Sequence, residues 1–382
     1  MTARDTDFID TFFLLLRAGM YGTPVPEEEL PESIDWDAVV GLAKKHIVLG
    51  IIIEGIQFLP DRLHPSCAVS AKMNRFALRL IQNNLVLDKT AARLTEFLAR
   101  HGIDGVLLKG PGVARYYRMS QMRQSGDIDF YVGKKYYRQA SALCREKLTG
   151  DKSSCAETEQ HFDFDMDGIT VELHRIASRF YSPLRNRRFQ DWVTEELEHS
   201  EDRRTLSIGD ADVPLPSVDF DAIFIFYHAW RHYVMGGIGL RQLCDWAMIF
   251  HSHSGDIDTE RLKDNIRRFG MTKGWKLFAC IAVRHLGVPE SQMPLYDRTY
   301  AEKSERVLED IIAGGNFGYY SELYRQTVAR KSFIGGFKGK VRMAIRNYTL
   351  LFPLMPAEAT FLCINRMIFG TRDFVKRTTR KP

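Results

Sequence analysis

What the chain lacks narrows its reading first. Its six cysteines, at positions 67, 144, 155, 244, 280 and 363, form no Cys-x-x-Cys pair, which excludes a zinc knuckle or a thioredoxin-like motif. They read as reduced, mostly buried thiols. No apolar run reaches the ~18 residues that cross a bilayer. The nearest stretch, 359–369, is short and contains Arg366. The opening MTARDTDFIDTFFLLL carries acids where a secretory signal is basic, and no small-residue cleavage site follows. These absences predict a soluble, cytoplasmic protein with no transmembrane segment. Strong charge of either sign is also missing: 53 Lys and Arg against 48 Asp and Glu leave a net +5, too little to announce a nucleic-acid binder. Internal repeats and low-complexity tracts are absent.

Acids are locally absent too. Residues 323–357 hold seven Lys or Arg and no Asp or Glu. Such a stretch is read as a solvated helix face, ahead of a surface for phosphate, RNA or membrane. Residues 336–355 are likewise read as a packed soluble helix before a membrane-lying amphipathic one.

The chain does have 382 residues, 45% of them hydrophobic and 12% aromatic, enough for one large core with helical additions or for two to three small domains. Residues 1–98 form an N-terminal helical region by periodicity, with Asp35 placed to cap a helix. The period changes in 99–205. A short apolar run ends in Lys109-Gly110-Pro111-Gly112, a helix covers 113–117, and residues 127–132 alternate as a strand. Helix resumes over 136–148. Residues 161–174 (HFDFDMDGITVELH) predict a hairpin turning at Asp167-Gly168. Helices return over 206–290 and pack on this core, and 291–382 is basic and mainly helical, with a break at Gly335-Gly336. The fold class is therefore α+β or α/β: a small mixed sheet flanked by helical regions.

The chemistry concentrates on Asp127 and Asp129. Residues i and i+2 of a strand share a face, so these carboxylates repel unless a cation lies between them. Magnesium favours such hard oxygen ligands together with phosphates. Asp-x-Asp alone is common at strand ends, and the chain contains its own warning: GDID recurs at 255–258 in a polar loop, where Asp258 reads as a helix N-cap. Context distinguishes the first copy. The glycines of the Lys109–Gly112 turn allow close backbone approach to a ligand, the following helix start offers N–H groups to phosphate, and Lys109 adds a point charge. In the hairpin, Asp163 falls opposite Glu172 and His161 opposite His174. Their polar face is either solvated or lines a cleft beside Asp127 and Asp129. In the second case Glu172 is a third acid, metal ligand or base.

His228 and His232 have the i, i+4 spacing of zinc ligands but no third partner, and are read as core or pocket histidines. Arg241 and Asp245 are spaced for a helix salt bridge, or flank the cleft. His251 and His253 are placed in a loop.

The stretch LLKGPGVARYYRMSQMRQSGDIDFYV resembles the signature of the DNA polymerase beta-like nucleotidyltransferases: a Gly-rich turn after a strand, a helix, an Asp-x-Asp strand and a later third carboxylate. More closely, LKG, the Arg-x-x-x-Asp-Ile-Asp of Arg123 to Asp129, VELH, HAWRHY and GLRQLCDW look like a bacterial family described only as uncharacterised nucleotidyltransferases. The likeness spans most of 35–290. The abortive-infection toxin nucleotidyltransferases, with a Lys-Gly-Gly turn, are similar at greater distance.

This resemblance implies magnesium- or manganese-dependent transfer of a nucleoside monophosphate from a nucleoside triphosphate such as ATP to an acceptor: a small molecule, a protein or RNA. Carried over by position, Asp127, Asp129 and Glu172 are catalytic metal ligands. Lys109, Gly110, Gly112, Arg123 and Ser125 bind nucleotide, and His161, Asp163, His174, His228 and Arg241 line the pocket. Pro111 departs from the pattern by standing where the superfamily has a serine, and Lys109 or Ser125 would have to supply part of that contact. The alternative is a catalytically inactive module of the same fold that binds a nucleotide or partner.

Overall fold

The computed structural model describes residues 3–149, 155–321 and 333–365. A five-stranded mixed sheet lies at its centre, in the order β1-β2-β5-β4-β3. The strands are β1 (Val106–Leu107), β2 (Asp127–Tyr131), β3 (Ala156–Glu157), β4 (His161–Met166) and β5 (Ile169–His174). Asp167 and Gly168 turn the β4–β5 hairpin with φ of 59° and 77°, the left-handed pair of a type I′ turn. This turn fixes the register that alternation predicts, with His161 opposite His174 and Asp163 opposite Glu172. The sequence does not reveal that β2 joins β5 in parallel, aligning Asp129 with Glu172 and Asp127 with Thr170.

Alternation then sorts the two faces. Ile128, Phe130, Phe162, Phe164, Val171 and Leu173 are buried against Leu87, Ala91, Leu94 and Leu98 of helix Cys67–Arg100 and Tyr137, Ala140 and Cys144 of helix Gly133–Lys147. Each buried phenylalanine contributes ~1.5–3 kcal/mol of transfer free energy, so a one-residue slip of register would forfeit the whole layer. The opposite face carries the acids and histidines.

A second hairpin, β6 (Arg204–Ile208) and β7 (Ala211–Leu215), packs Leu206, Val213 and Leu215 into the sheet's core. It stands at the start of the span read as helical. Its cue was present: alternating residues flank Gly209-Asp210, and Gly209 has φ of 60°.

Helices Val218–Met235 and Leu240–His253 cover the polar face at a distance and belong to a larger aromatic core with Trp230, Trp246, Trp275 and Phe278. His251 and His253 close the second of these helices and are not in a loop; His251 stacks on Tyr21 at 3.9 Å. The turn after β1 leads into a helix of one turn, Pro111–Ala114, shorter than expected and displaced toward the turn. Helix Phe333–Leu351 runs through Gly335-Gly336 without the expected break. Leu351, Met355, Ala359 and Leu362 are buried in the larger core, so this end of the basic stretch is packed on the protein. The rest of that stretch, 323–332, and residues 366–369 of the apolar run lie outside the described residues. Among the described residues, no helix is long and apolar enough to cross a membrane.

Candidate active site

The polar face of the sheet and the two covering helices enclose a cleft of about 380 Å³. Asp127, Asp129, Glu172, His161 and His174 line it from the sheet, Lys109 and Gly110 from the turn, and His228, Arg231, His232 and Arg241 from the helices. Strand alternation and parallel pairing thus bring both aspartates and Glu172 to one place.

Asp129 is fully buried. Its Oδ1 accepts from Lys109 Nζ at 2.8 Å and lies 3.0 Å from His174 Nε2, while its Oδ2 is buried and finds no hydrogen-bond partner among the described residues. Burial alone would raise this carboxyl's pKa, but Lys109 and His174 outweigh it and hold the pKa well below the carboxylate range. Asp127 shifts the other way: the Asp129 charge, then burial, raise it. Glu172 is lowered by its contact with His174, 3.3 Å from Nε2 to Oε2. Burial disfavours the His174 cation, yet the bonds to Asp129 and Glu172 prevail and lift its pKa to about 9. His228 and His232 are both lowered by burial and by Lys109, His232 to about 4, so both are neutral at pH 7. Lys109 Nζ lies 3.5 Å from the His228 ring nitrogens. Among the described residues these two histidines meet no third metal-ligating side chain.

The turn and β2 approach closely because of one glycine. Gly110 has φ of 61°, and a Cβ there would fall 2.8 Å from the carbonyl oxygen of Asp127. Gly112 instead gives room to Leu215 of β7, where a Cβ would lie 2.9 Å from a methyl group, and it is not among the residues lining the cleft. Arg123 is buried at the junction. Its guanidinium donates to both oxygens of Asp245, at 3.0 and 2.6 Å, to Ser125 Oγ at 2.8 Å and to the Gly110 carbonyl at 3.4 Å. Tyr117 also donates to Asp245, at 2.8 Å. The expected Arg241–Asp245 pair is therefore replaced: Asp245 serves Arg123 and Tyr117, and Arg241 donates to the Gln124 carbonyl at 2.6 Å. Asp163 stands back from the cleft, its Oδ1 3.4 Å from His161 Nε2.

Several contributors escaped the sequence reading. Asn84, which fits an apolar helical pattern by position, donates to the Gln121 and Arg123 carbonyls at 2.7 and 2.9 Å and so fixes the loop that precedes β2. Gln160, Ser178 and Phe317 line the cleft from segments carrying no motif, and Arg231 lines it from within HAWRHY, where the sequence singles out only the histidines. A buried polar residue inside an apolar stripe was the signal available for Asn84.

A family model described as "Uncharacterised nucleotidyltransferase" matches residues 32–287. Among curated proteins nothing matches. A solved structure, an antigenic nucleotidyltransferase-like protein from Paracoccidioides brasiliensis, is similar at 16% identity over 43% of this chain and 75% of that one, with a TM-score of 0.29 that adds no weight. The family match covers the sheet, the turn, the Asp-x-Asp strand and both covering helices together, and the chain belongs to this family of uncharacterised nucleotidyltransferases.

Proposed function

We propose that the cleft transfers a nucleoside monophosphate from a nucleoside triphosphate to an acceptor, using magnesium or manganese. One observation carries this reading: Asp127, Asp129 and Glu172 converge on a single cleft whose rim holds Lys109 and Gly110. The residues fit a divalent cation. Asp127 and Asp129 repel each other, and Asp129 keeps a buried oxygen without a partner. A bound magnesium or manganese ion supplies positive charge against the triphosphate and the developing negative charge.

The chain's own residues do the rest. Asp127, Asp129 and Glu172 would hold the ion. Glu172, kept ionised, is also suited to accept the acceptor's proton. Lys109, Arg231 and Arg241 bring positive charge to the cleft, compatible with phosphate oxygens. Gly110 lets the turn approach the phosphates. Gly112 supports that turn by packing, and Arg123 and Ser125 set its position. His228 and Arg241 form the far wall, with His161, His174 and Asp163 grouped around Glu172. The acceptor, whether small molecule, protein or RNA, would enter from the open side.

A second reading has its own observation. Lys109 already neutralises Asp129 at 2.8 Å, and Pro111 offers no hydroxyl, a combination that suits a module binding nucleotide without chemistry. A label-transfer screen separates the two, using α-labelled nucleoside triphosphates, magnesium or manganese, and mixed RNA, protein and small-molecule acceptors. Transfer that depends on Asp127 supports catalysis. Nucleotide binding with no transfer to any acceptor supports the inactive module.

A further inference from the structure

We propose that His161, Glu172 and His174 form a binding site for a divalent first-row transition ion of the zinc or manganese type, alongside the carboxylate pair. The site shares Glu172, and with it the candidate fourth donor Asp129, with the transfer reading, but its imidazoles stand on the hairpin and it does not depend on nucleotidyl transfer being the activity.

The hairpin register builds it. His161 and His174 are direct cross-strand partners with ring centroids 5.2 Å apart, and Glu172 precedes His174 by two residues on the same face. One ligand atom from each lies within 4.8 Å of the others. Glu172 Oε2 is 3.3 Å from His174 Nε2 and 3.6 Å from His161 Nδ1. A tetrahedral shell with bonds of ~2.0–2.1 Å has ligand-to-ligand edges of about 3.3 Å. The two edges from Glu172 are thus close to shell spacing before any ion arrives, and the third, between the two imidazoles, spans no more than 4.8 Å.

Two further observations point to a ligand. Asp129, fully buried, lines the same cleft and keeps Oδ2 without a partner, a candidate fourth donor. His161 has a carboxylate beside its other nitrogen: Asp163 Oδ1 lies 3.4 Å from Nε2, longer than a hydrogen bond but near enough to become one on a small ring rotation, while Nδ1 faces Glu172. For His174 the roles reverse. Its Nδ1 is buried without a partner among the described residues, and Nε2 is the nitrogen that meets the acids.

The donor set decides the class of ion. Two imidazoles with carboxylates suit borderline transition metals, whereas magnesium takes oxygen and keeps its waters. The site's preferred metal would therefore differ from that of an all-carboxylate cluster.

Cobalt(II) is the probe, because low-coordinate cobalt with nitrogen ligands absorbs visibly. The full chain, stripped with chelator, is titrated with cobalt and then challenged with zinc and, separately, millimolar magnesium. The expected result is a visible band that zinc abolishes and magnesium does not. His161→Gln and His174→Gln should each weaken cobalt binding at least about tenfold. His161 is partly exposed, so His161→Gln carries the test if the buried His174 variant fails to fold, with far-UV circular dichroism to verify folding. No band, or a band unchanged in folded His161→Gln, overturns the proposal. Magnesium-supported label transfer without cobalt binding would sink this site and leave the transfer reading standing. Cobalt binding without transfer would do the reverse.

Discussion

Residues 126–129 and 255–258 are the same tetrapeptide, Gly-Asp-Ile-Asp, in two physical settings. In the first, Asp127 and Asp129 lie on an interior strand, flanked by β1 and β5, with Lys109, His174 and Glu172 around them. In the second, Asp256 is exposed and pairs with the neighbouring His253, at 2.8 Å, while Asp258 caps helix Thr259–Arg268 by accepting from Arg261 N at 3.0 Å and donates its own N–H to Asp219 Oδ1 at 3.0 Å. The first copy meets residues 20 to 45 positions away, and the second is largely satisfied by its own turn. Carboxylates acquire chemistry when distant segments prevent them from being solvated or locally capped.

The largest expected effect breaks the symmetry between the copies outright. Asp127→Asn and Asp129→Asn should each lower label transfer about 10²-fold or more, because Asn keeps the volume and loses the charge. Asp256→Asn and Asp258→Asn should leave it unchanged. Transfer lost through the second copy and retained through the first would misplace the active site.

Next in size is the anchor that gives the first copy its setting. Asp245→Asn removes the charge facing the buried Arg123 and should cost about 3–5 kcal/mol in urea unfolding. A cost near zero would mean that Arg123 finds another partner.

The two aspartates of the first copy should also differ from each other in chelator. Asp129 is held below the carboxylate range, so it contributes stability above the ordinary pKa that is lost as pH falls through its lower folded value. Asp127 is raised, so it withdraws stability as pH climbs from the ordinary value through its higher folded one. At pH 7 without metal, Asp129→Asn should lower Tm and Asp127→Asn should hold or raise it. Adding magnesium should stabilise the wild type more than either variant. Equal shifts in Tm for both variants would contradict the assignment of repulsion to one and ion pairing to the other.

A related effect belongs to His174. A folded pKa of about 9 means that its stabilisation is complete below about 6.5 and is lost as pH rises through 9. Thermal melts in chelator should decline across that window and flatten in His174→Gln. The smallest effect is the cap: Asp258→Ala should cost ~1 kcal/mol with transfer untouched.

The hairpin and its polar face were legible because alternation and an Asp-Gly turn are local signals, and so was the cap at Asp258. The parallel junction of β2 with β5 was not, because nothing in either strand encodes its neighbour. Arg241 and Asp245 show the limit well. Their spacing specifies a helix pair, but Asp245 faces inward to a guanidinium 122 residues earlier, and that competition is settled by tertiary packing. Asn84 was hidden for the opposite reason, since its position obeys the apolar period while its amide serves two loop carbonyls. The β6–β7 hairpin was readable from its alternation and its Gly-Asp turn.

The Arg123–Asp245 bond also bears on how this protein can be cut. A fragment limited to the sheet and its turn would carry a guanidinium whose counter-charge lies on a helix that was left behind. Its Gly110 turn and Asp-x-Asp strand would lose the strut that holds them in line. The smallest excisable unit is therefore set by that one ionic strut and has to extend past Asp245, well beyond the last strand of the sheet.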